Sequence, residues 1–271
     1  MEPIPIPSYE VVPMEEIAPG VRGLRIAFVN VFAVTHADSS WTLVDAGLPM
    51  SANRILRWVQ TIAAMPPNAI VLTHGHFDHV SAARDLADEW DVPIFTHPFE
   101  APYLRGLRQY PPPNVNAGGG SMSWLSPLYP RGPIDLGERL RMLPLADASV
   151  LREMPGWQVL HTPGHTPGHV SLFRPADRCL LVGDAFCTTK PESFFDAAIV
   201  QPAELHGPPA YFTSDWQSAG YSVRRLADLN PLIVAPGHGK PLRGATLPEQ
   251  LNRLAQQFGE IAVPENRKSA A

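Results

Sequence analysis

Four times along this chain an apolar run ends at a short glycine-containing turn, and each turn carries a histidine or an aspartate. Residues 69–72 run into His74-Gly75-His76-Phe77-Asp78-His79. A run ending at Leu160 opens His161-Thr162-Pro163-Gly164-His165-Thr166-Pro167-Gly168-His169. Residues 180–183 lead to Asp184, and residues 232–235 to Pro236-Gly237-His238-Gly239. Strands that end in functional loops are the way α/β folds build sites.

The 74–79 stretch is the densest of the four. Imidazole nitrogens and a carboxylate suit a borderline-soft divalent ion such as zinc. On a strand-to-helix turn, His74 and His76 point one way. Asp78 and His79 fall on the first helical turn and reach a second point nearby. One loop thereby serves two metal ions.

Between the turns, strands and helices alternate, which predicts a layered α/β architecture. Residues 21–34 and 41–44 read as strands, and 51–64 as a helix with Ser51 as its N-cap, stopped by Pro66-Pro67. Residues 69–73 form a strand, 80–89 a helix and 93–96 a strand. Later strands are expected at 140–143, 157–160, 170–173, 179–182 and 232–235, with helices at 215–229 and 248–258. The whole chain reads as one domain, 1–271, with a Pro-rich extension at 1–20 that wraps the surface and a loose tail at 261–271. Residues 111–133 break the pattern with a Pro/Gly-rich insertion. Long loops in compact domains are usually functional or disordered. This one is read either as a lid over the site or as a surface wrap or subunit contact, the latter leaving a homodimer open.

The net charge of −5 and the absence of a basic run argue against a nucleic-acid partner. Cys179 and Cys187 make no disulfide framework. Cys179 reads as core, and Cys187 lies three residues after Asp184. The N-terminus has neither a basic segment nor an apolar one of the signal-peptide kind. No apolar stretch approaches the roughly 20 residues a membrane span needs. The expectation is a cytoplasmic chain with a small-molecule substrate and no membrane partner.

HxHxDH at 74–79, TPGHTPGH at 162–169, Gly183-Asp184-Ala185 and Pro236-Gly237-His238-Gly239 together resemble the metallo-β-lactamase superfamily, across about residues 20–245. The resemblance implies a four-layer αβ/βα sandwich, two mixed β-sheets flanked by helices, with the metals at one edge. It implies that His74, His76 and His165 bind one ion, that Asp78, His79 and His238 bind another, and that Asp184 bridges both. The two ions are expected to be Zn2+, with Fe or Mn as alternatives. Asp78 and Asp184 are then the carboxylates of the catalytic centre. Asp45, at the end of an early strand, resembles the family's acid that supports a ligating histidine, and His169 takes a similar supporting place. His161 is expected to cap its strand end, and His36 and His97 to be structural.

The implied reaction is attack of metal-activated hydroxide on the carbonyl of a small ester, lactone, thioester or lactam. Lys190, His206, Tyr211 and Trp216, between the Asp184 and His238 turns, are candidate substrate contacts. A lactone or ester ranks first. Glyoxalase II-like thioesterases carry a longer C-terminal helical domain than the roughly 30 residues after His238 allow. Lactonases of the superfamily often carry tyrosine where this chain has Cys187. The alternative from another class is a mononuclear iron oxygenase like the persulfide dioxygenases, using His74, His165 and Asp184. A nuclease of the RNase Z kind shares the ligands, but the acidic balance opposes it.

Overall fold

The computed structural model describes residues 4–5, 10–117, 119–132, 134–200 and 202–265. A six-stranded sheet runs in the order Val21–Ile26, Val29–Thr35, Trp41–Val44, Ile70–Val71, Ile94–Thr96, Leu140–Met142. Its first three strands pair antiparallel and the rest parallel. A seven-stranded sheet runs Glu10–Val11, Leu242–Arg243, Ile233–Pro236, Cys179–Gly183, Val170–Arg174, Gln158–His161, Ser149–Val150. Only Cys179–Gly183 and Ile233–Pro236 are parallel to one another in it.

Three apolar clusters hold these sheets in four layers. Side chains alternate across a strand, so each strand feeds two clusters. Phe32 and Val34 face a cluster between the sheets, where they meet Leu172, Leu181 and Ala235. Val31 and Ala33 face the other way, onto Ile55, Val59 and Leu86 of the helices Ala52–Val59 and Ala83–Trp90. In the second sheet Leu180 and Val182 meet Val223, Leu226, Leu251 and Leu254 of the helices Trp216–Asp228 and Leu247–Gln256. Strands buried on both faces read as unbroken apolar runs, which is why residues 69–72 and 179–182 carry no polar alternation. The αβ/βα sandwich expected from the sequence is the fold observed.

Several local expectations need correction. The first helix ends at Val59 rather than 64; the β-branched Thr61 and Ile62 and the two prolines that follow disfavour its continuation. Ser51 occupies the N-cap position without capping, because its hydroxyl donates to the Leu48 carbonyl at 2.7 Å. The helix expected at 80–89 is two helices, Phe77–Val80 and Ala83–Trp90. The N-terminal stretch does more than wrap the surface. Glu10–Val11 pairs with Leu242–Arg243, and Ile17 is fully buried between the sheets. At the other end, Ile261 and Ala262 are buried against the second helical layer, so the expected loose tail does not begin at 261. Residues 266–271 lie outside the described residues.

Candidate metal centre

The four turns converge at one edge of the sandwich. The 74–79 turn follows the strand Ile70–Val71 of the first sheet, and the turns bearing His165, Asp184 and His238 follow strands of the second. The turns are tied across the gap. The Val170 N–H donates to the Thr73 carbonyl at 2.8 Å. Asn30, fully buried, donates through its amide to the carbonyls of Pro236 (2.9 Å) and Gly239 (2.8 Å).

All seven expected ligands are buried and meet there. Three groups have donor atoms close enough to hold an ion: His74, His76 and His165; His74, His79 and Asp184; Asp78, His79 and His238. His74 Nε2 lies 3.1 Å from His76 Nδ1, which lies 2.9 Å from His165 Nε2. The Asp184 carboxylate reaches both sides. Its Oδ2 is 3.5 Å from His165 Nε2 and 3.1 Å from His238 Nε2, and its Oδ1 is 3.5 Å from His79 Nε2.

The hydrogen bonds behind the rings fix which nitrogen faces inward. His238 Nδ1–H donates to the Phe28 carbonyl at 2.8 Å, and His79 Nδ1–H to Asp45 Oδ2 at 2.8 Å. The Thr213 hydroxyl gives its proton to the Pro209 carbonyl, so it accepts from His165 Nδ1–H at 3.0 Å. The Thr73 hydroxyl gives its proton to Asp45, so it accepts from His74 Nδ1–H at 3.1 Å. Four rings therefore turn an Nε2 lone pair to the centre, each anchored at its far nitrogen as metal-binding histidines are.

The chemistry of this set fits divalent cations. His79 Nε2 and Asp184 Oδ1 are buried without a hydrogen-bond partner, and buried orphan acceptors are costly unless a cation meets them. Burial holds His74 and His165 well below the usual histidine range and His76 at about 3, so these nitrogens stay free of protons. Burial also opposes protonation of His79 and His238, but Asp184 and its neighbouring acids outweigh it and raise both. That half of the cluster calls for positive charge.

Asp45 and His169 take supporting positions. Asp45, at φ +61°, accepts from the Thr73 N–H and hydroxyl as well as from His79; a non-glycine residue in the left-handed region is a strain the surroundings must hold. His169 Nε2 accepts the Asp184 N–H at 2.8 Å, while its Nδ1–H donates to Thr162. His161 stacks face to face on His97 at 4.2 Å, outside the cluster. His36 bonds Thr42.

The candidate substrate contacts divide. Tyr211 is buried beside Phe212, whose ring lies 4.8 Å from that of His76. Trp216 is not brought to the centre; it packs on the second helical layer with Phe258 at 6.3 Å. His206 faces Glu192 at 3.7 Å. Lys190 is half-buried. The Cys187 thiol is fully buried, and burial first, then Asp184, pushes it well above the usual thiol range, so it is no nucleophile. Sequence reasoning missed Thr213, Phe212, Asn30, Glu100 and Tyr110. Glu100 carried a signal, since it lies in the turn after the strand Ile94–Thr96.

The described residues of the insertion are bonded to the 192–211 stretch. The Asn114 N–H donates to the Tyr211 carbonyl, the Met122 N–H to the Glu192 carbonyl, and the Phe194 N–H to the Ser121 hydroxyl. The Tyr129 ring packs at a tilt against Phe77, with centroids 5.4 Å apart. Among the described residues no helix is long and apolar enough to cross a membrane.

The metallo-beta-lactamase superfamily profile matches residues 24–238. The chain belongs to that superfamily. It is similar to a probable metallo-hydrolase, YflN, of Bacillus subtilis (strain 168), at 41% identity over 250 residues, 91% of this chain and 94% of that protein. It is 26% identical over 225 residues to the hydroxyacylglutathione hydrolase GloC of Haemophilus influenzae, covering 78% of this chain and 90% of that one. A solved structure described as TTHA1623 in a di-iron-bound form superposes with a TM-score of 0.55 at 27% identity, covering 84% of this chain and 96% of that chain. The chain thus combines membership of the superfamily with a His/Asp cluster that could hold metal.

Proposed function

We propose that this chain is a dinuclear metal-dependent hydrolase acting on the carbonyl of a small ester, lactone, thioester or lactam. The observation that carries this reading is the seven-residue cluster with its inward lone pairs and the orphan atoms His79 Nε2 and Asp184 Oδ1. His74, His76 and His165 would hold one ion, Asp78, His79 and His238 the other, and Asp184 would touch both. Bound dications would supply Lewis acidity and a water acidified toward neutrality. The chain's own part is to turn imidazole nitrogens inward, to hold the rings through Asp45, Thr213, Thr73 and the Phe28 carbonyl, and to bury the cluster.

The surroundings favour an uncharged acyl group. Besides other histidines, the rings against the ligand histidines are Tyr110 and Phe212 on His76 and Phe28 on His238. These ring faces offer apolar surface beside the cluster, which supports a lactone or ester as the first substrate class to try. Zinc is the expected ion. Iron is the competing choice, given the di-iron form of TTHA1623.

The test is an Asp78→Ala or His79→Ala variant assayed on a panel of lactones, esters, thioesters and β-lactams. Each variant is expected to lose one ion and at least about 100-fold in hydrolysis. Wild-type turnover in either variant overturns the dinuclear reading. Oxygen uptake with a persulfide, in protein holding one iron, would replace it with the oxygenase.

A further inference from the structure

Glu100 is fully buried, and among the described residues it has no ion pair. A buried carboxylate is costly unless donors surround it. Three do. Glu100 Oε2 accepts from the Gly75 N–H at 2.9 Å and from the Tyr110 hydroxyl; Oε1 accepts from the Gly168 N–H at 2.6 Å. Charge-assisted bonds of this kind are the strong ones.

The identity of the two glycines matters. Gly75 lies between His74 and His76, in the turn from the first sheet. Gly168 lies three residues after His165, in the turn from the second. One carboxylate thus grips both halves of a single candidate metal group. The grip needs glycine at both places. A Cβ at 168 would sit 2.8 Å from Glu100 Cγ, and one at 75 would sit 3.1 Å from Oε2. Tyr110 extends the contact, since its ring lies 4.6 Å from that of His76 and is backed by Tyr103 at 3.9 Å.

Asp45 provides the contrast. It holds His79 and Thr73 and touches neither Gly75 nor Gly168. Asp45 bonds His79 directly and reaches His74 only through the Thr73 hydroxyl, whereas Glu100 is the buried acid bonded directly to both turns of the His74/His76/His165 group. We propose that Glu100 is a positioning residue that sets the span from the His74–His76 pair to His165, and thereby the affinity of that group for its ion, leaving the Asp78/His79/His238 group to Asp45. This rests on the metal-centre reading above.

The test compares metal-free wild type, Glu100→Ala, Glu100→Gln, Tyr110→Phe and Asp45→Asn, titrated with Zn2+ against a chromophoric chelator, with Co2+ absorption spectra as a second readout. Wild type is expected to show two tight sites. Glu100→Ala is expected to weaken one of them by about 10–100-fold and to leave the other within about threefold. Glu100→Gln, which keeps one acceptor oxygen, and Tyr110→Phe fall between. Asp45→Asn weakens the other site, and its Co2+ spectrum differs from that of Glu100→Ala. If Glu100→Ala does not fold, the near-isosteric Glu100→Gln and Tyr110→Phe carry the comparison. Two wild-type affinities in folded Glu100→Gln and Tyr110→Phe overturn the proposal. Equal weakening of both sites in these variants does so too, because it marks a general loss of stability. A wild type without zinc affinity overturns the metal reading itself, and the proposal with it.

Discussion

At the scale of single residues, the centre is defined as much by what stands behind the histidines as by the histidines. Asp45 accepts three hydrogen bonds from the 73–79 turn while holding a left-handed backbone. Replacing it with alanine removes the anchor of His79 Nδ1. Metal affinity at one site is expected to fall by about 10–100-fold, checked by isothermal titration with Zn2+, while a negligible change would contradict the role given to Asp45. His97 belongs to stability instead. Burial first, then the stacked His161, lowers it to about 4. Its folded value lies below the unfolded 6.5, so the folded state binds fewer protons between those limits. Its contribution is fully present above pH 6.5 and is lost as the pH falls toward 4, by roughly 3 kcal/mol in all. Urea melts of wild type and His97→Gln at pH 7 and pH 5 check this. The wild type should lose more stability on acidification than the variant, and equal losses would contradict the assignment.

At the scale of elements, the insertion 111–133 is the piece whose role the sequence left open. Its helix Ser121–Leu125 is bonded to the 192–194 stretch, and Tyr129 reaches Phe77 beside the candidate ligand Asp78. It is bonded to the 192–211 stretch. Replacing residues 121–129 with a short Gly/Ser linker is expected to raise KM several-fold or to shift the preferred acyl group, with metal content unchanged. Unaltered kinetics across the substrate panel would show that the insertion does not border the substrate. Exposed Trp124 and Leu128 make the same segment the place where a second copy would be sought.

At the scale of the whole molecule, what was legible in the sequence follows from locality. The ligand turns could be read because each is a short string after an apolar strand, and the strands because burial on both faces leaves unbroken runs such as 179–182. The supporting residues were legible only in part. Asp45 stood at a strand end, but Thr213, Phe212 and Asn30 reach the centre from distant stretches of chain, and only tertiary contact reveals them. Trp216 packs on the helical layer behind the sheet, the ordinary place for an aromatic residue between two such turns. The N-terminal residues 10–18 were underestimated because a two-residue edge strand and one buried isoleucine leave almost no periodic signal. The proposed function requires that the cluster at the sandwich edge hold two divalent ions at once. The most direct test is elemental analysis of the purified chain. Close to two divalent ions per chain are expected, zinc foremost, falling to about one in Asp78→Ala. A single iron per chain, with no second ion taken up on titration, would contradict it.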